Sequence, residues 1–190
     1  MSNFFAMISR MKYINRWGLM NNTKSENISE HSLEVAILSH ALVTIANTRL
    51  GCSLDADRAA VIGMFHDASE IITGDMPTPV KYYNPEISNA YKAVEKVAED
   101  KLIAMLPEEL RNLYRPLISD TDKELAPYVK AADKLSALIK CIEEVRMGNN
   151  EFLKAKASIE DAISAMHLPA LDVFMTEYLP AYYLTLDELG

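Results

Sequence analysis

Of the four histidines, His31, His40, His66 and His167, only His66 is followed directly by an acid, in the pair His66-Asp67. Consecutive helical residues point about 100° apart, so an imidazole and a carboxylate there can reach one metal lying over the arc between them. Glu70 comes four residues after His66, and on a helix that spacing puts it one turn along the same face. A carboxylate so placed can act as general base or acid toward a water on the metal without being a ligand. More than two protein ligands are needed. His31 in SEHSLE and Asp133 in KAADKL are the best remaining candidates, because each is a polar residue on an apolar-rich helix. Each alone has a plainer reading: His31 as a hydrogen-bonded histidine at a helix start, Asp133 as a partner of Lys130 or Lys134. A single HD dipeptide is weak evidence too. Nitrogen and oxygen ligands without thiolates suit a borderline first-row ion, leaving manganese, cobalt, iron, nickel, zinc and copper open. His40 and His167 fall outside the pattern, so one metal is expected and not two.

These residues need helices to carry them. Apolar residues recur at helical spacing through almost every segment, and no alternating run bounded by turn signals makes a convincing strand. The expected fold is all-α. A first amphipathic helix should cover 4–14, and Ser29, with Glu30 in the first turn, should cap a long helix running to about Asn47. Asp55 can cap a helix carrying AAVIGMF and ending near HDASE, before a loop with Gly74, Pro77 and Pro79. From about Pro85 to Met105, one face presents Ile87, Tyr91, Val94, Ala98, Leu102 and Met105. Another helix begins near Tyr128, carries KAADKLSALIKCIEEV and stops at the Gly148-Asn149-Asn150 turn. Two or three shorter helices complete the chain.

With 190 residues, 49% of them hydrophobic, the chain can build the core of one domain, expected to span 1–190. A net charge of −8 supplies no global field toward nucleic acid or anionic lipid, so any bound phosphate must meet local positive charge. Cys52 and Cys141 lack CxxC spacing and read as reduced core thiols. The first seventeen residues, interrupted by Arg10 and Lys12, do not form a signal peptide, and no segment reaches the length of a membrane span, so the cytoplasm is expected.

The ordered set His31, His66-Asp67, Asp133 resembles the H…HD…D signature of the HD-domain superfamily, whose members are all-helical and hydrolyse phosphate esters. INRW at 14–17, SEHSL at 29–33, HDASE at 66–70, TGDMPTPVKY at 73–82 and GNNEF at 148–152 resemble its bacterial 5'-deoxynucleotidase branch, over the whole chain. The resemblance implies a single HD-type helical domain with metal ligands His31, His66, Asp67 and Asp133. It implies deoxynucleoside 5'-monophosphates as substrates, and it leans toward cobalt or manganese. Glu70 matches the catalytic carboxylate, which would activate or position the attacking water or protonate the leaving oxygen. Arg16 matches an arginine that orients the phosphate, and its planar guanidinium suits a bidentate grip. Trp17, the sole tryptophan, matches a residue against the sugar, leaving no room for a 2'-hydroxyl. Asp75, Met76, Pro77 and Thr78 match the loop over the nucleotide, with Asp75 the residue there expected to act directly. Lys81 is a lesser phosphate contact. His31, Asp67 and Asp133 are expected to touch substrate as well as metal. Between 116 and 132 no block matches the family's pattern in register, and Asp120 and Asp122 stay outside the site.

Two other readings compete. Another HD hydrolase, acting on nucleoside triphosphates, cyclic nucleotides or signalling nucleotides, shares the metal site and differs in products. A helical scaffold with a structural polar cluster predicts no turnover with any metal. The apolar strip YLPAYYLTL at 178–186 could bury a subunit contact, and proteins similar to this one are homodimers.

Overall fold

The longest helix starts where Asn27 can satisfy its first amides. The Asn27 side chain accepts from the Ser29 and Glu30 amides, and Glu30 reaches back to the Asn27 amide in a reciprocal capping box. Ser29, expected as the cap, therefore lies inside the first turn. The structure, a computed structural model, describes residues 2–81, 83–119 and 122–190. Its α-helices are α1 Phe4–Ile8, α2 Ile28–Leu50, α3 Ala56–Phe65, α4 Glu70–Thr73, α5 Thr78–Lys81, α6 Pro85–Ala104, α7 Glu108–Ile118, α8 Ala126–Arg146, α9 Leu153–Ser164 and α10 Pro169–Glu177. Among the described residues there is no strand, only an isolated antiparallel bridge between Asn15 and Asn27. None of these helices is long and apolar enough to cross a membrane.

Helices α2, α3, α8 and α10 share the main core, in which Val35, Leu42, Ile62, Leu135, Leu138 and Leu171 are buried. Gly63 sets the closeness of α2 and α3. A Cβ there would come within 2.9 Å of the Ala36 Cα and 3.0 Å of the Ala36 amide nitrogen. A second apolar cluster joins Phe4 of α1, Ala68, Leu102 and Ile103 of α6, Leu106 and Ile118 of α7. Phe65 and Tyr114 add an edge-to-face ring pair with centroids 5.9 Å apart. One cluster carries the helices that hold His31 and Asp133; the other backs the segment just after His66-Asp67.

The helix expected over 4–14 is α-helical only to Ile8 and tightens into a 3-10 turn over Ser9–Tyr13. The chain must become extended at Ile14 to pair with the segment before α2, and the Ile14 carbonyl accepts from the Ile28 amide at 2.9 Å. On α6, Tyr91, Ala98 and Leu102 are buried, but Ile87 and Val94 are exposed because the helix is covered along a narrow stripe only. Helix α7, including Pro116, occupies a region where the sequence reading named no helix. Cys141 is a buried thiol as expected, whereas Cys52 is exposed in the turn between α2 and α3. In the 178–186 strip, Leu179 is buried and Tyr182 packs on the core, while Tyr178, Tyr183, Leu184 and Leu186 are exposed.

Candidate active site

His31 sits in the first turns of α2, His66-Asp67 directly after α3, and Asp133 within α8. The core that packs these helices brings the four side chains together. His31, His66 and Asp133 offer ligand atoms all within 4.8 Å of one another. The His31 Nε2 lies 3.2 Å from an Asp133 oxygen and 3.4 Å from Asp67 Oδ2, which is 3.2 Å from His66 Nε2. Asp133 does lie near Lys134, at 3.7 Å, but its carboxylate also faces the histidines. His40 is exposed beside Asp57, and His167 is exposed in the turn before α10 with a positive φ of 50°. Neither joins the cluster.

The tautomers follow from the hydrogen bonds. The Ser136 hydroxyl donates to Glu34 at 2.6 Å and so has a lone pair for His31 Nδ1–H at 2.9 Å. His66 Nδ1–H donates to the Gly63 carbonyl at 2.7 Å. Both rings are thereby oriented with Nε2 inward, and both Nε2 atoms are buried without a hydrogen-bond partner. Buried orphan acceptors facing two carboxylates are costly unless a cation lies between them, so this donor set fits a divalent metal. Burial opposes a charged His66, but Asp67 and Asp133 outweigh it and hold its pKa up at about 9, so a cation bound by Nε2 must displace a proton from it. Burial would raise Asp67; His66 and His31 instead lower it to about 2. Asp133 is likewise held well below the carboxylate range against its burial, chiefly by His31. His31 itself is lowered by burial and by Arg16.

The segment from His66 to Glu70 is not the continuous helix expected. Helix α3 ends at Phe65, and three-residue turns follow, with the Ala68 amide on the Phe65 carbonyl and the Glu70 amide on the Asp67 carbonyl. Such winding aligns residues three apart, which sets Glu70 beside Asp67 instead of over His66. Glu70 is buried, its Oε2 has no hydrogen-bond partner, and its pKa is pushed up to about 9 by burial, Asp67 and Asp75. Gly74, at φ 75° and ψ 161°, then turns the chain into the Asp75 loop, a conformation open to glycine and little else.

Arg16 donates from Nη1 to Glu26 at 2.9 Å and lies in the field of Asp133, Asp67 and Asp75. Trp17 holds a left-handed backbone at φ 60°, donates from its indole to Glu26 at 3.0 Å and packs on Phe152 with centroids 5.3 Å apart. Asp75 is raised by burial, opposed by Arg16, and the Trp17 amide lies close enough to pull it down as well. Met76 and Pro77 are half-buried in the same loop and Thr78 opens α5 exposed; none of the three hydrogen-bonds the four converging residues. Lys81 pairs with Glu95 at 2.9 Å and lies over the Tyr91 ring. Asp122 accepts from the Leu125 amide in the turn before α8 and pairs with Arg58; Asp120 lies outside the described residues.

Three residues here went unread in the sequence: Glu26, Glu34 and Ser136. Glu34 and Ser136 each follow a candidate ligand by three residues, a same-face spacing that was a usable signal. Glu26 had none, since its partners lie on another segment. A cleft of about 240 Å³ runs behind His31 and Glu26, lined also by Glu30, Glu34, Glu143, Lys24 and Lys140. Its four carboxylates outnumber its two ammonium groups, which disfavours an anion there.

A family model described as 5'-deoxynucleotidase YfbR-like matches residues 3–182. The 5'-deoxynucleotidases YfbR of Shigella dysenteriae serotype 1 and of an Escherichia coli strain are each 51% identical over all of this chain and 96% of their own length. Among solved structures, an HD-domain phosphohydrolase from Listeria innocua superposes with a TM-score of 0.83 at 22% identity, over 95% of this chain and 88% of its own. The cyanophage S-2L HD phosphohydrolase DatZ, bound to dA and one catalytic zinc ion, gives 0.68 at 20% identity over 95% and 96%.

Proposed function

The chain belongs to the YfbR-like 5'-deoxynucleotidase family, and on that premise we propose how its residues hydrolyse deoxyribonucleoside 5'-monophosphates to a deoxynucleoside and phosphate. The observation that carries the assignment of the centre is the pair of buried, unpartnered Nε2 atoms facing Asp67 and Asp133. His31, His66, Asp67 and Asp133 would hold one divalent ion, cobalt or manganese on this reading. When bound, such an ion supplies Lewis acidity toward a phosphoryl oxygen and the positive charge that this cluster of acids otherwise lacks.

Arg16 offsets phosphoryl charge and orients the group, the local positive charge that a chain of net −8 must provide. Water attacks phosphorus, the bond from phosphorus to O5' breaks, and one proton passes to the leaving oxygen. Glu70 handles that traffic, either taking a proton from the water or giving one to O5'. Burial, Asp67 and Asp75 push its pKa up to about 9, and the charge of an ion at the centre would oppose that rise. Asp75 hydrogen-bonds the substrate or assists the transfer, while Met76, Pro77 and Thr78 cover the nucleotide. Trp17 packs on the sugar and selects against a 2'-hydroxyl. His31, Asp67 and Asp133 border the phosphate as well as the ion. The working unit is one domain over 1–190, a homodimer in the cytoplasm.

Products discriminate this from the other HD chemistries: a deoxynucleoside monophosphate should yield nucleoside and one phosphate, with dNTPs and cyclic nucleotides left intact. Glu70→Ala should keep the metal and lose turnover by about a hundredfold or more, and Asp67→Ala should lose both, as read by metal content and phosphate release. Retained turnover in Glu70→Ala would remove Glu70 from the chemistry.

A further inference from the structure

Arg16 and Trp17 are held by one carboxylate. Glu26 accepts from Arg16 Nη1 with Oε1 at 2.9 Å and from the Trp17 indole with Oε2 at 3.0 Å. The backbone fixes the same register, since the Arg16 amide donates to the Glu26 carbonyl at 2.9 Å and Asn15 bridges Asn27. Trp17 pays for its position with a φ of 60°, a conformation that a bulky residue keeps only where tertiary contacts impose it. Its ring is closed in by Phe152 on one side and the Arg16 guanidinium, 5.8 Å from the ring centre, on another. Arg16 spends a single nitrogen on Glu26, and its other donors make no hydrogen bond among the described residues.

We infer that Glu26 is a positioning residue that locks the phosphate grip of Arg16 and the sugar-facing ring of Trp17 in one mutual placement, so that deoxyribose selection and phosphate binding are coupled through it. The inference rests on the roles proposed for Arg16 and Trp17. Its chemistry is that of an acceptor with two oxygens facing two donors. Glutamine cannot replace it: its one oxygen can serve Arg16 or Trp17, and its amide group then confronts the other donor. Aspartate keeps the charge but is one methylene too short to reach both partners.

The test compares Glu26→Gln and Glu26→Asp with Arg16→Ala, Trp17→Ala and the unaltered protein, all loaded with cobalt or manganese. Three quantities are read: KM and kcat for a deoxynucleoside and the matching ribonucleoside 5'-monophosphate, metal content per chain, and tryptophan emission, which reports Trp17 alone because the chain has one tryptophan. Both Glu26 variants should shift the emission, raise KM for the deoxynucleotide by about three- to tenfold, and lower the deoxy-to-ribo preference, with metal content unchanged. Glu26→Asp carries the test if Glu26→Gln does not fold. If Arg16→Ala raises KM and Trp17→Ala lowers the preference while both Glu26 variants behave as the unaltered protein, Glu26 has no positioning role. If Arg16→Ala and Trp17→Ala themselves change neither quantity, their proposed roles fail and the inference falls with them.

Discussion

Ser136 lies outside the proposed ligand set, yet its hydroxyl holds His31 Nδ1 and so turns Nε2 toward Asp67 and Asp133. It can accept from Nδ1–H because its own proton goes to Glu34. Ser136→Ala should leave the fold intact and weaken metal binding by about tenfold, as partners of metal-bound histidines commonly do; competition against a chromophoric chelator measures this, and unchanged affinity would make the relay incidental. The convergence of His31, His66-Asp67 and Asp133 was legible in the sequence from residue type and order. The sequence was silent on Glu26, because a carboxylate in a polar stretch gives no sign of which distant donors it will meet.

The elements hold these residues by close approach and by one buried ionic node. Gly63→Ala would gain a little helix propensity but force a methyl against the Ala36 backbone. A net loss of about 1–3 kcal/mol is expected in denaturant unfolding, with unchanged stability showing that α2 and α3 can separate freely. Glu144 binds the Thr23 amide and hydroxyl, Asn149 and the buried Lys140, tying the 21–24 loop to the turn after α8. Burial alone would raise its pKa, but Lys140 and Thr23 hold it below the ordinary value of 4.5. A group whose pKa is depressed on folding stabilises the fold above its unfolded pKa and loses that contribution as pH falls. Melting temperature should therefore drop below about pH 4.5 with a slope that Glu144→Gln reduces; equal slopes would remove Glu144 from the acid response. This node also explains GNNEF, a block with no catalytic residue: Asn149 anchors the loop and Phe152 supports Trp17. Helical periodicity revealed α2, α3, α6 and α8. It could not show the break at Phe65, since three-residue turns keep nearly the same apolar pattern as a helix.

For the whole molecule, two apolar clusters converge on one charged centre in a chain of net charge −8. All-helical character was legible because nearly every segment repeats at helical spacing. The sides of α6 left exposed, and the exposure of Cys52, were not, since they depend on which neighbours cover each element. What this centre is built for, once it holds a divalent ion, is hydrolysis of deoxynucleoside monophosphates. Its most direct test is phosphate release from the full set of deoxyribo- and ribonucleoside 5'-monophosphates by metal-stripped protein resupplied with cobalt, manganese or zinc. Release that requires the metal and favours the deoxy series is the predicted result; no release from any monophosphate with any of the three ions would contradict it.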